Sequence, residues 1–250
     1  MSRSPTLRER DDNTQTVPEN DPEEELTTFI HSIYHYGLGF ITLTVLVWVF
    51  ISAASINMSK LLPVPPYALV IVIFIIMVVL NCIPKAAYCT PCNWILAAVV
   101  LLCTIVAGGC LVYSFTLLTV VLMVVLTTVL VLILNFSGAK CPQELLPGGV
   151  CSTCLMIILL VFLIVVGIVQ LFTSSRFALH AFMITLFVML IVAIPIQAQF
   201  NHGRMTIVEV VPKHHLIICI LTLYLHSIIF FCCLCYLTTI GDAEEENYTP

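Results

Sequence analysis

The chain has 250 residues, of which 60% are hydrophobic and 9% charged, with a formal net charge of −5. A soluble domain carries roughly 25% charged residues, so this composition excludes a soluble fold and predicts a polytopic membrane protein. Most of the acids gather in the tails and no basic stripe is present, which excludes nucleic acid as a partner.

Residues 1–25 hold Arg3, Arg8 and Arg10 among eight acids, with little apolar content. They are expected to form a disordered acidic cytosolic tail. The next stretch, 26–36, is amphipathic and predicts a short interfacial helix leading into the membrane. His31 and His35 share one face of it. With no Cys or acid beside them, they read as interfacial polar residues rather than metal ligands. No basic segment precedes a short apolar core here, so the first apolar segment is expected to act as both signal and anchor.

Seven apolar segments follow, at about 37–56, 67–83, 94–115, 116–136, 155–172, 177–200 and 216–238. Each approaches the roughly 20 residues that a helix needs to cross a bilayer. The expected fold is therefore all-α: one membrane domain over 26–240 built as a seven-transmembrane-helix bundle, then an acidic C-terminal tail over 241–250. The third and fourth segments run together. A bend is expected at Gly108-Gly109 or at Tyr113-Ser114-Phe115-Thr116. Pro63, Pro65 and Pro66 end one helix and start the next, since proline fits a first helical turn. Pro195 is expected to kink the sixth span and free a carbonyl near Gln197.

Orientation follows the loop cations. Arg3, Arg8, Arg10, Lys85, Lys140, Arg204 and Lys213 fall on the N-terminal side, against Lys60 and Arg176 on the other. This bias predicts a cytosolic N-terminus. Asn57-Met58-Ser59 and Asn247-Tyr248-Thr249 match the glycosylation pattern on the opposite side. The first lies against the membrane and the second at the chain end, so both read as unused.

Of the twelve cysteines, Cys103, Cys110, Cys219 and Cys232 lie within apolar runs, where cysteine acts as a small hydrophobe. Cys89-x-x-Cys92 and Cys151-x-x-Cys154 fall on the same predicted side. Zinc and lipidation are both open for them, and the long separation between the pairs disfavours zinc. Cys232-Cys233-x-Cys235 reads as packing. No cofactor is expected. Neither His-Glu-x-x-His nor Gly-x-Ser-x-Gly occurs, so no enzyme is expected either. The Asp-Arg-Tyr and Asn-Pro-x-x-Tyr signals of G-protein-coupled receptors are also missing.

The stretch from Pro195 to Asp242 carries the main intramembrane chemistry. His226 stands in the middle of the last apolar segment, where an ionisable side chain is costly and marks a functional site by default. Gln197 stands just after Pro195. These two form the candidate polar pair, with Tyr224, Gln199 and Pro195 in support. His226 reads either as a pH switch or as a neutral group bonded to Gln197, Tyr224 or a backbone carbonyl. His180 reads as a buried hydrogen-bonding residue.

Several motifs carry a family resemblance over about residues 26–242. Val79-Leu80-Asn81-Cys82-Ile83-Pro84 and Pro91-Cys92-Asn93-Trp94-Ile95-Leu96 resemble the second loop of the Lifeguard, or transmembrane BAX inhibitor motif, family. Ala107-Gly108-Gly109 through Tyr113-Ser114 looks like its small-residue third helix. Gln199 to Gly203, Pro212, Tyr224-Leu225-His226-Ser227-Ile228-Ile229 and Gly241-Asp242 follow its C-terminal signature in order. The resemblance implies a bundle of the BAX-inhibitor type with the last helix central. It also implies residence in the endoplasmic reticulum or Golgi rather than the plasma membrane. Expected partners are the lipid bilayer, calcium ions and other membrane proteins of cell-death or calcium signalling.

The same resemblance exposes a departure. The family's Tyr-Asp-Thr-Gln corresponds here to Ile196-Gln197-Ala198-Gln199, and its Tyr-x-Asp-Ile-Ile to Tyr224-Leu225-His226. In the family the two aspartates form a proton-linked pair that gates a calcium leak. Gln197 cannot ionise, and His226 can only become positive. The expected function is thus a leak-type influence on intracellular calcium and negative regulation of apoptosis with an altered gate. The alternative is a non-conducting scaffold or regulator that binds other membrane proteins.

Overall fold

The computed structural model describes residues 22–62, 64–140, 149–173, 175–204 and 215–248. The expectations for the N-terminal 21 residues, Pro63, Pro212 and Lys213 fall outside them. The described residues are helical, in the order α1 Pro22–Ala53, α2 Met58–Leu61, α3 Pro66–Cys82, α4 Pro84–Tyr88, α5 Cys92–Val112, α6 Leu117–Lys140, α7 Gly149–Thr173, α8 Arg176–Asn201 and α9 Leu216–Tyr248. Six of them are long and apolar enough to cross a membrane, and α3 is a shorter apolar helix of 17 residues. At 1.5 Å per residue α3 is about 25 Å long, just under the ~30 Å hydrocarbon thickness.

Several boundaries differ from those expected, among them the end of α6 at Lys140 rather than 136 and the start of α7 at Gly149 rather than 155. The interfacial helix and the first span are one continuous helix, because no Pro interrupts Pro22–Ala53 after its first residue and Gly37 and Gly39 are tolerated inside it. A single glycine costs only about 1 kcal/mol in a helix, and packing outweighs it. At the other end α9 runs on through Tyr248, so the described part of the acidic tail is helical. The bend between the third and fourth spans falls at Tyr113–Thr116, while Gly108 and Gly109 remain buried within α5. Pro66 opens α3 at its first position. The Asn57 side chain caps α2 by accepting from the Lys60 amide at 3.2 Å.

The bundle is organised around α9. Inside its spanning part 67% of residues are buried, against 33% for α5, the next highest, and none for α7. Around α9 stand α1, α3, α5, α6 and α8, and α7 packs on α8 from outside. The central position is legible in the side chains. Ile220, Leu221, Tyr224, Phe230 and Cys233 cover nearly the whole circumference of α9 and are all buried. By contrast Phe74, Phe136, Phe172 and Phe177 on the outer helices point outward, an arrangement suited to hydrocarbon rather than water.

Close helix contacts use glycine in two places. A Cβ on Gly138 of α6 would meet the Pro195 carbonyl of α8, and one on Gly108 of α5 would meet the Trp48 ring of α1. Small residues at such points let helices approach closely, which is how membrane helices gain packing energy. Lys140 ends α6, and the Arg204 guanidinium donates to the Ala139 carbonyl at 2.6 Å. Both place positive charge at the negative end of that helix.

Candidate functional site

Polar groups gather on two sides of α9. On the α1–α5 side Tyr224, Thr44, Thr104 and Trp48 all have partners. The Tyr224 hydroxyl, fully buried, lies 2.9 Å from Thr44 Oγ1. Thr44 in turn is 2.9 Å from the Phe40 carbonyl. The Thr104 hydroxyl donates to the Val100 carbonyl at 2.7 Å. Trp48 Nε1 donates to the Ile105 carbonyl at 2.9 Å, and its ring stacks on Phe231 with centroids 5.2 Å apart. These contacts tie α1, α5 and α9 together at one level of the membrane. A cavity of about 70 Å³ lies beside them between α1, α6 and α9, with Trp48, Thr127, Ser227 and Phe231 in its wall.

The side of α9 that faces α8 is different. Phe230 and Cys233 pack there with Leu190 and Ile194. His226 precedes Phe230 by one turn and Cys233 by two, so it lies on the same stripe. Its Nδ1 is buried with no hydrogen-bond partner among the described residues. Further along α8, Gln197 Nε2 donates to Asn201 Oδ1 at 2.8 Å. Asn201 is fully buried, and its Nδ2 is also without a partner among the described residues. At the opposite end of the seam the Tyr236 hydroxyl lies 2.8 Å from His180 Nδ1. A line of polar groups therefore runs along the α8–α9 seam, paired at one end and incompletely paired elsewhere. Thr127 Oγ1 and Gln170 Oε1 are the other buried polar atoms without partners among the described residues.

The antiparallel register of α8 and α9 fixes the depth of each group. His180 pairs with Tyr236, and Phe187 meets Phe230 with centroids 4.9 Å apart. Continued at that register, Gln197 is level with Cys219 and Ile220, while His226 is level with Leu190 and Ile191. The two are offset by about 10 Å along the axis at 1.5 Å per residue. The hydrogen bond made by Gln197 goes to Asn201, one turn along its own helix, and not to His226.

The supporting residues divide accordingly. Tyr224 belongs to the closed α1–α5 side. Pro195 lies within α8, where it removes the amide that would have bonded the Ile191 carbonyl, and its own carbonyl faces Gly138. Gln199 is half-buried, and its carbonyl accepts from the Arg204 amide at 3.0 Å. Asn201, Thr44 and Trp48 were not singled out in the sequence. Asn201 falls at the end of α8, where Asn reads as a helix-terminal residue, and Thr44 and Trp48 look like ordinary members of an apolar run. Only the packing against α9 distinguishes them.

No group of three metal-binding side chains occurs among the described residues, and His31 and His35 stack on each other at 6.0 Å. Among the described residues the two Cys-x-x-Cys pairs form no such group. The site offers neutral amides, an imidazole and hydroxyls, and no carboxylate. No Asp or Glu occurs among the described residues from Leu26 to Arg204, nor in α9 before Asp242. Compared with the models of known families, with curated proteins and with solved structures, the chain matches none.

Proposed function

We propose that the chain is a Lifeguard-like integral membrane protein of the endoplasmic reticulum or Golgi that influences intracellular calcium and restrains cell death through its α8–α9 seam. The observation that carries this reading is the pair of buried atoms on that seam, His226 Nδ1 and Asn201 Nδ2, that have no partner among the described residues. Leaving such a group unsatisfied costs about 1–3 kcal/mol, more than a purely structural seam need bear. An ionisable side chain such as His226 inside a membrane bundle marks an ion or proton path by default. The motif order over residues 26–242 supports the family assignment, and the central position of α9 agrees with the architecture that the resemblance implies.

The second reading is a non-conducting regulator that binds other membrane proteins. The missing carboxylates favour it, because calcium takes hard oxygen ligands and a neutral seam offers no charge to draw it in. Calcium flux from liposomes holding the purified protein separates the two. The leak reading expects flux above protein-free liposomes, reduced several-fold by His226→Leu and by Asn201→Leu. A folded protein with no flux at any pH would leave the binding reading in its place.

A further inference from the structure

Among the described residues, five exposed cysteines gather at one end of the bundle. Cys82 ends α3, Cys89 and Cys92 flank the turn between α4 and α5, and Cys151 and Cys154 lie in the first turns of α7. Alternation of the spans puts all five on the side of Lys85 and Lys140. The other described cysteines are half-buried or buried, with Cys219, Cys233 and Cys235 deepest in the bundle. All of them are free thiols, and none of the five joins a metal-binding group among the described residues.

The outward placement of Cys89 and Cys92 is built into the turn. Asn93, only 7% exposed, donates from Nδ2 to the Ala87 carbonyl at 3.0 Å, and its Oδ1 accepts from the Trp94 amide at 2.8 Å. Its own amide donates to the Cys89 carbonyl at 3.1 Å. Ala87, 2% exposed, seals the inner side. With Ala87 and Asn93 fixed inward, the two thiols face out. Beside them Ile83 and Ile95 expose apolar surface, and Lys85 is exposed at the same level. A thiol placed between an apolar wall and a cationic rim lies where an attached acyl chain would pass directly into the hydrocarbon.

We propose that Cys82, Cys89, Cys92, Cys151 and Cys154 are S-acylated by long-chain fatty acyl groups on the cytosolic face. The proposal rests on the cytosolic orientation of the N-terminus and is independent of any calcium leak. The cysteine sulfur attacks the thioester carbonyl of an acyl-coenzyme A. The new sulfur–acyl bond forms as the bond to coenzyme A breaks, and the cysteine proton ends on the released coenzyme A thiol. No oxidant or reductant is needed. Juxtamembrane cysteines on the cytosolic side are the usual acceptors of this reversible modification.

The test is acyl exchange on the full-length protein made in cells. Free thiols are blocked, thioesters are cleaved with hydroxylamine, and the released thiols are tagged with a polymer maleimide of known mass. The expected result is a hydroxylamine-dependent ladder. Joint Cys82→Ser, Cys89→Ser and Cys92→Ser substitution removes its upper steps, and adding Cys151→Ser and Cys154→Ser abolishes it. Each variant is compared at equal amounts of alkali-resistant, membrane-inserted protein, so a failure to insert is not counted as a loss of acylation. Absence of the ladder in the wild type, or its survival in the five-serine variant, overturns the proposal. So does labelling of these thiols by an impermeant maleimide applied from the lumenal side of sealed vesicles.

Discussion

The two polar sides of α9 follow opposite rules. On the α1–α5 side Tyr224, Thr44, Thr104 and Trp48 each have a partner, although Thr127 Oγ1 in the wall of the adjoining cavity has none among the described residues. On the α8 side His226 Nδ1 and Asn201 Nδ2 are buried without one among the described residues. Both sides belong to the same helix and the same membrane, so burial alone does not explain the difference. Satisfied groups contribute to stability, whereas unsatisfied groups cost stability and call for a use elsewhere. The comparison separates the polar residues that hold the bundle from those available for function.

The largest expected effect tests the frame common to both sides. In Gly138→Val the new Cβ meets the Pro195 carbonyl and Cα and the Ala198 Cβ. Backbone cannot rotate away, so α6 and α8 must part. A loss at or above the ~1–3 kcal/mol usual for overpacking is expected, read as a lower thermal midpoint in detergent. Gly108→Val is expected to cost somewhat less, because its Cβ meets the Trp48 ring, a side chain. It should also break the bond from Trp48 to the Ile105 carbonyl, seen as a shift in tryptophan fluorescence. A Gly108→Val protein with unchanged emission and midpoint would mean that the closed side is looser than its geometry indicates.

A smaller effect sharpens the closed side. Tyr224→Phe removes one buried hydrogen bond and leaves Thr44 bonded to the Phe40 carbonyl. The expected loss is about 1 kcal/mol. Thr44→Val removes the same bond from the other end. A double-mutant cycle should give a positive coupling of about 0.6 kcal/mol, the average for hydrogen bonds between membrane helices. Additive losses would remove the Thr44–Tyr224 contact from the description.

The architecture was largely legible in the sequence, and the pairings were not. Apolar length alone locates α5, α6, α8 and the spanning part of α9 to within a few residues. The boundary of α1 was missed because amphipathic and fully apolar stretches both form helix, and only a breaker between them would have divided them. His226 was visible as an ionisable residue in an apolar run. Its neighbours were not, because periodicity gives the face of a helix but not its axial register against another helix. That register, set by His180 with Tyr236 and Phe187 with Phe230, is what places Gln197 and His226 at different depths. Asn201 and Thr44 carried no signal of their own, since their importance comes from what they meet across the bundle.

The most discriminating change in stability is one of sign rather than size. His226→Leu removes a buried nitrogen with no partner among the described residues and substitutes an apolar side chain on the stripe of Phe230, which packs with Leu190 and Ile194. If the open side is open, nothing is lost when the imidazole goes. The expected stability change is near zero or a gain of up to about 1–3 kcal/mol, the penalty for an unsatisfied buried group. The sign is therefore opposite to that of Tyr224→Phe, two residues earlier on the same helix. The same detergent assay reads both, so differences in expression or lipid cancel in the comparison. If His226→Leu destabilises as much as Tyr224→Phe does, the imidazole is an ordinary structural group with a satisfied partner, and the distinction between the two sides fails. If stability holds or rises while calcium flux in liposomes falls, the seam is kept unsatisfied for function. If stability rises and a wild type that conducts nothing is unchanged, the seam serves contacts with other membrane proteins rather than ions.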